Sequence, residues 1–364
     1  MPAPTYAAGS QNLAAFNYLN NARSSCGFGL LAQNANLDVS ATAHTNYEFI
    51  NRIFGHDENP AMPGFTGVNS AARITAAGYL GSGSEFTATI FRLGGPGLDM
   101  STYTSVDHMR NLLAAPYHLR NMVYGWRDVG VSYRSDTEST VFTGNPGKRS
   151  GELYQQPAAT EVLSYPCNGT PDTAMFMFTE SPWPWPAHTG PIGQPIHLQV
   201  REGQELVITT ATITHTAGPG IDVGTAANGA VAGATSMLQK LDWNNDTNNR
   251  FTGRKNVASL MPEKTMYPGS TYRVQITGTN GGTTFSKDFS FITTGGADYS
   301  ACLATIPGRI NATSYWDAAR KANALSNVPY FCAGHIYGYS VSYGKPIDQD
   351  YTKTDVREIK TTIF

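Results

Sequence analysis

Charge is scarce in this chain. Of its 364 residues only 14% are Asp, Glu, Lys or Arg, against roughly 25% in an average soluble protein. The 25 basic and 27 acidic residues leave a net charge of −2, with no long run of either sign. Nucleic acid and anionic membranes both demand a basic patch, so neither is expected as the main partner. Long apolar runs are missing as well. No stretch approaches the roughly 18 consecutive apolar residues of a spanning helix. The opening Met1-Pro2-Ala3-Pro4-Thr5 lacks the basic and apolar blocks of a signal peptide and reads as a mature N-terminus behind an added Met. GxSxG and HExxH do not occur, which removes the commonest hydrolase and metalloprotease patterns.

Cysteine is limited to Cys26, Cys167, Cys302 and Cys332. None forms a CxxC pair, so zinc-ribbon and thioredoxin-type chemistry is not indicated. An even count suits two disulfides in an oxidising compartment. Four cysteines allow three pairings and sequence does not choose among them. Domain logic favours Cys302 with Cys332, leaving Cys26 with Cys167. Two other patterns fail on inspection. Gly27-Phe28-Gly29-Leu30-Leu31-Ala32 matches a dinucleotide loop but follows a helix rather than a strand. Asp242-Trp243-Asn244-Asn245-Asp246 has the opening spacing of a calcium loop but lacks the sixth-position Gly and the closing Glu.

What fills the gap is Gly, Thr, Ser, Asn, Ala and Tyr, a composition common in secreted and cell-surface proteins. Residues 11–25 read as a helix from Leu13, Phe16, Leu19 and Ala22. A second helix is expected from Leu37 to Ile53, capped by Asn34 or Asn36, and a short third over Ser70–Ala77. Val106–Val123 reads helical with an interruption at Pro116, and Val129, Val131 and Tyr133 alternate as a strand. The run Glu180-Ser181-Pro182-Trp183-Pro184-Trp185-Pro186 is extended and marks a boundary, because proline fixes φ and removes amide donors. Beyond it Ile196, Leu198 and Val200 alternate, as do Leu206 and Ile208, Tyr272, Val274 and Ile276, then Phe285, Phe289 and Phe291. This is the texture of a β-sandwich, with a hairpin at Gly278-Thr279-Asn280-Gly281-Gly282. A helix over Ser314–Leu325 and a strand over Tyr337–Tyr343 follow.

Four features fall in order in the first part: Asn20-Asn21-Ala22-Arg23, Phe54-Gly55-His56, Gly78-Tyr79 with Ser84-Glu85-Phe86, and Ala115-Pro116-Tyr117-His118-Leu119-Arg120 before Val129-Gly130-Val131. This order resembles the bacterial branch of the CAP superfamily, the group that holds the cysteine-rich secretory, antigen 5 and pathogenesis-related proteins. The resemblance covers residues 11–135. Here Ser84-Glu85-Phe86 stands where the family has Gly-Glu-Asn, and Leu119 splits the His-Arg pair. The stretches Thr271–Val274, Gly278–Gly281 and Phe289–Thr294 resemble bacterial immunoglobulin-like modules. The resemblance implies an α+β chain: a three-layer α/β/α CAP sandwich over 1–180, an all-β immunoglobulin-like sandwich over 187–295, and a disulfide-stapled C-terminal extension over 296–364.

It also implies that His56, Glu85 and His118 meet in the family's central cleft, with a second carboxylate from Glu58 or Glu48. His44 lies one helical turn before Glu48 and can pair with it. Two imidazoles and a carboxylate can bind a divalent cation such as zinc, with His56 and His118 as ligands, or a His beside a Glu can act as a general base. The first function expected is a secreted or surface binding protein. It would hold a small apolar, cationic or cell-envelope ligand near His56, Glu85, His118, Glu58 and His44, with the sandwich as a spacer or adhesive unit. The second is a secreted hydrolase acting on a peptide or envelope polymer, with His56, Glu85 and His118 activating water.

Overall fold

The computed structural model describes residues 2–91, 100–177, 180–188, 192–218, 235–263, 266–314, 316–326 and 328. Two compact units emerge, one of Met1–Tyr165 with Val200–Glu202 and one of Pro166–Gln199 with Gly203–Phe364. The chain is α+β, and among the described residues both sheets are open, with no barrel.

The first unit begins with α1 (Gln11–Ser25), whose N-terminus is capped by the Ser10 hydroxyl accepting from the Leu13 amide. Strand β1 (Ala32–Gln33) leads into α2 (Ala35–Asn51). Asn34 is the cap: its side-chain oxygen accepts from the amides of Asn36 and Leu37, relieving two of the donors a helix start leaves unpaired. The helix ends where Arg52 adopts φ 53°. Its buried face carries Leu37, Ala41, His44, Tyr47 and Glu48, residues three and four apart and hence neighbours on one side. Helix α3 (Ser70–Ala76) is capped by Asn69. Next come β2 (Gly81–Gly83), β3 (Phe86–Phe91), α4 (Ser105–Leu112) and α5 (Pro116–Val123). Pro116 therefore starts a helix rather than interrupting one; at the first helical position its missing amide hydrogen costs nothing.

Strands β4 (Asp128–Ser135) and β5 (Ser139–Arg149) complete the sheet, and β6 (Leu163–Tyr165) follows. The order is β1-β4-β5-β2, with β3 also on β5. Only β1 and β4 run parallel. Helix α2 packs on β4 and β5, so closely at Gly130 that a Cβ there would lie 2.1 Å from the Asp38 amide nitrogen. Cys26 and Cys167 are joined by a disulfide, as expected. Cys302 is disulfide-bonded too; its expected partner Cys332 and the strand expected over 337–343 lie outside the described residues.

In the second unit, residues 180–188 belong to no strand. Strands β7 (Ile196–Gln199), β8 (Leu206–Ala217), β9 (Thr235–Asp242), β10 (Val257–Pro262), β11 (Thr271–Asn280) and β12 (Thr283–Ile292) lie in the order β12-β11-β8-β9-β10-β7, every pair antiparallel. The β11–β12 turn is Gly281-Gly282, with φ of 53° and 84°. Two consecutive positive φ values are what a tight two-residue hairpin demands. Helices α6 (Gly296–Ala312) and α7 (Ala318–Ser326) follow.

Candidate functional site

The first unit gathers six ionisable side chains around the C-terminal half of α2. His44 and Glu48 come from α2 itself, one turn apart and both buried. His56 and Glu58 come from the segment that leaves the helix, Arg73 from α3, and Glu85 from the residue before β3. All except His56 are buried; the His56 side chain is 47% exposed.

Glu85 is the hub. Its Oε1 lies 3.0 Å from His56 Nδ1. Arg73 Nη2 donates to Oε1 at 2.9 Å and to Oε2 at 2.8 Å, and Asn145 Nδ2 donates to Oε2 at 3.3 Å. Its backbone is held as well, since the Glu85 carbonyl accepts from Asn121 Nδ2 on α5. The following residue acts as an anchor. The Phe86 ring fills the space over Gly144, where a Cβ would come within 2.1 Å of it. Burial alone would raise the Glu85 carboxyl; the hydrogen bond from His56 and the charges of His44 and Arg73 override it and hold the group at about 2.

Glu58 accepts from the amides of Thr66 and Gly67 and from the Thr66 hydroxyl, and Arg73 Nη1 is 3.6 Å from its Oε1. Glu48 accepts from the Gly55 amide at 2.9 Å and meets the hydroxyls of Thr87 and Thr89. Its carboxyl is raised, chiefly by burial, which His44 and the hydroxyls only partly offset. Arg73 also donates to the carbonyls of Gly67 and His56. The same guanidinium thus ties the loop, α3 and the Glu85 carboxylate together.

His118, on α5, brings its ring to 5.9 Å from the ring of His56, with an interplanar angle of 28°. Residues expected from the sequence to act together therefore sit as follows. His56, Glu85 and His118 lie at one place. His44, Glu48 and Glu58 lie beneath them, and both carboxylates that no motif distinguished belong to the cluster. Three contributors went unforeseen: Arg73, Asn145 and the Thr87–Thr89 pair. A lone arginine on a seven-residue helix reads as solvated, and nothing in its spacing says otherwise.

Chemically, the carboxylate orients the imidazole. With Glu85 ionised, His56 donates from Nδ1, which leaves Nε2 as the acceptor nitrogen. That nitrogen can accept a hydrogen bond, take a proton or ligate a cation. Among the described residues no group of three or more His, Cys, Asp and Glu side chains is placed to hold a metal ion. Glu85 is already engaged by Arg73 and Asn145. Two imidazoles alone fall short of the three protein ligands of a catalytic zinc site, so the residues present are a poor fit to resident zinc.

No protein-family model matches the chain, and no curated protein matches it. Several solved structures are similar to part of it, two of which follow. One is an extracellular protein containing an SCP domain from Bacillus anthracis, at 18% identity and a TM-score of 0.31, covering 38% of this chain and 40% of that one. The chain thus spans well under half the length of that protein. The other is an outer surface protein from Borrelia burgdorferi, at 14% identity and a TM-score of 0.32, covering 40% of this chain and 97% of that one. Among the described residues no helix is long and apolar enough to cross a membrane.

Proposed function

We propose that this chain is an exported CAP-like binding protein whose first unit takes a small cell-envelope or cationic ligand at His56, beside His118. One observation carries the reading. A half-exposed imidazole stands on a buried carboxylate that a buried guanidinium holds in place. Such an arrangement fixes the ring's orientation and tautomer and offers one nitrogen outward, as a preorganised contact requires. The order of motifs from Asn20 to Val131 and the disulfide-bonded cysteines support the CAP-like, exported part of the reading. The second unit serves as spacer or adhesive module.

The test uses the full chain labelled with ¹⁵N-histidine. Soluble peptidoglycan fragments, fatty acids and zinc ions are added separately, and the His56 and His118 ring signals are followed. A saturable shift with one of these probes, abolished by His56→Ala, supports the reading. Turnover of the peptidoglycan fragments, lost in Glu85→Gln, would instead favour the hydrolase that activates water through the same pair. Silence at both rings with every probe sinks the site.

A further inference from the structure

His44 is wholly buried beneath this site, and oxygen atoms surround its ring. Nε2 lies 2.8 Å from the Gly55 carbonyl oxygen and Nδ1 3.0 Å from Glu58 Oε1. Glu85 Oε1 and Glu48 Oε1 lie 3.6 and 3.9 Å from Nε2. A backbone carbonyl can only accept, so Nε2 carries a hydrogen. Glu58 takes two backbone amides and a hydroxyl and sits beside Arg73. A carboxyl so supplied with donors is an ionised acceptor, so Nδ1 carries a hydrogen too. A ring with hydrogens on both nitrogens is the imidazolium.

We propose that His44 is held as a buried imidazolium and is a positioning residue: with Arg73 it fixes the Glu85 carboxylate on which His56 stands. The positioning role rests on the reading of His56 as the ligand-contacting group; the charge state does not. The charges then balance. Arg73 and His44 face Glu58 and Glu85, two against two, while burial raises the Glu48 carboxyl and so disfavours its charge. The groups facing His44 are Glu48 on its own helix, Glu58 from the loop, Arg73 from α3 through Glu58 and Glu85, and Glu85 before β3. The Tyr47 ring stacks at 6.2 Å. An unbalanced charge in such a place would be far more costly than at the surface, so the cluster holds its shape only while both cations are present.

The test reads ring nitrogens in the full-length protein by long-range ¹H–¹⁵N correlation at about pH 7.5, where an ordinary histidine is neutral. Both His44 nitrogens are expected in the protonated range, with His56 protonated on Nδ1 alone. One bare nitrogen on His44 overturns the proposal. His44→Gln keeps a donor but removes the charge. The surplus negative charge should then raise the doubly protonated fraction of His56 severalfold. The double variant His44→Gln with Glu58→Gln removes one charge of each sign and should bring that fraction back, although it is the more heavily altered protein. If the single variant leaves His56 unchanged, or the double departs further from wild type, His44 acts through shape alone and the positioning role fails. Should the single variant not fold, the wild-type spectrum still decides the charge state, and the double variant decides the role by whether His56 keeps its single hydrogen. No ligand enters any of these measurements. A doubly protonated His44 in a protein that takes no probe at His56 defeats the binding reading alone; a bare nitrogen on His44 in a protein that binds defeats only this proposal.

Discussion

The two units handle charge in opposite ways. The first buries Arg73, Glu58, Glu85, His44 and Glu48 in one cluster, and it buries Arg23 as well, whose guanidinium donates to the carbonyls of Gly29, Met122, Tyr124 and Phe28. The second keeps Arg273–Asp288 and Lys255–Glu205 at its surface, buries the single carboxylates Glu180, Asp242 and Asp246 rather than a cluster of opposite charges, and stacks Tyr272 on Phe291 and on His215 in its interior. Hydrophobic packing is enough to make a unit fold. Buried ions cost desolvation and are seldom the most stabilising choice. A cluster of opposite buried charges, as the described residues of the first unit show, suits geometry that packing cannot hold, namely one carboxylate oriented toward one exposed imidazole. The contrast can be broken, and the experiments that would do so fall in order of expected effect.

Arg73→Met should be the most damaging single change. It leaves Glu58 and Glu85 buried without their shared guanidinium, and breaking a buried pair in this way costs about 3–5 kcal/mol. Guanidinium-chloride unfolding reads it directly. A loss of under about 1 kcal/mol would mean that water reaches the cluster and that the charges are not truly interior.

Acid should come next, and it should act on the first unit. His108, buried against Thr140, Tyr103 and Phe142, is pushed down to about 3 by burial, which nearby Asp107 only partly opposes. Above about pH 6.5 the ring is neutral in both folded and unfolded chains. Below it the unfolded chain takes a proton that the folded one refuses, so stability falls by about 1.4 kcal/mol per pH unit until about pH 3. Glu85 adds to this at lower pH. Its stabilising contribution is complete above about 4.5, the carboxyl's ordinary value, and is lost as pH falls toward about 2. Unfolding at about pH 7, 5.5 and 4 should show the decline, with His108 contributing on the order of 3 kcal/mol by pH 4, which the raised Glu48 carboxyl partly opposes. His108→Gln should flatten the upper part of the curve. A decline unaffected by His108→Gln would place the acid-sensitive group elsewhere.

Much of this architecture can be read in the sequence, for reasons that differ from element to element. Helix α2 is legible because Leu37, Ala41, His44 and Tyr47 recur at helical spacing behind the Asn34 cap. The Gly281-Gly282 hairpin is legible because only glycine enters two positive φ values in a row without strain. Strand β5 was not legible: it carries Gly144, Pro146 and Gly147, residues that strand interiors disfavour. In the fold, Gly144 is small because the Phe86 ring lies on it, a tertiary cause invisible along the chain. Helix α6 was missed for a similar reason, carrying Gly296, Gly308 and an internal Pro307. His56, Glu85 and His118 came from the order of family-like motifs, not from their spacing. Arg73 came from neither, because its role depends on two carboxylates that only the folded chain brings to it. The expected two-sheet sandwich of the second unit has a counterpart in alternating antiparallel strands, whose described order is that of one sheet.

Tyr272→Phe tests the second unit on its own terms. The Tyr272 hydroxyl accepts from the buried Tyr267 amide at 2.9 Å. Removing it takes away that acceptor while the ring stack survives. The expected loss is about 1–2 kcal/mol, the cost of one buried unsatisfied group. It should be the same at about pH 7 and pH 5.5, where neither tyrosine titrates. A loss that grows with acid would show that an ionisable partner supports this core too, and the contrast between the units would weaken.

Arg273→Ala should have the smallest effect, and it isolates burial from geometry. Arg273 and Arg73 both grip a carboxylate with short hydrogen bonds: Arg273 reaches Asp288 at 2.8 Å from Nε and 2.5 Å from Nη2, much as Arg73 reaches Glu85. The difference is that both members of the surface pair stand about half exposed, at 49% and 45%. Water and salt screen such a pair, and immobilising two long side chains offsets most of what the contact contributes. The unfolding midpoint of Arg273→Ala should therefore fall within the scatter of wild-type measurements. Raising the salt concentration to about 1 M, where screening reaches within about 3 Å, should move wild type and variant together. If Arg273→Ala instead destabilises as strongly as Arg73→Met, good hydrogen-bond geometry is sufficient by itself. The first unit's buried cluster would then need no functional explanation.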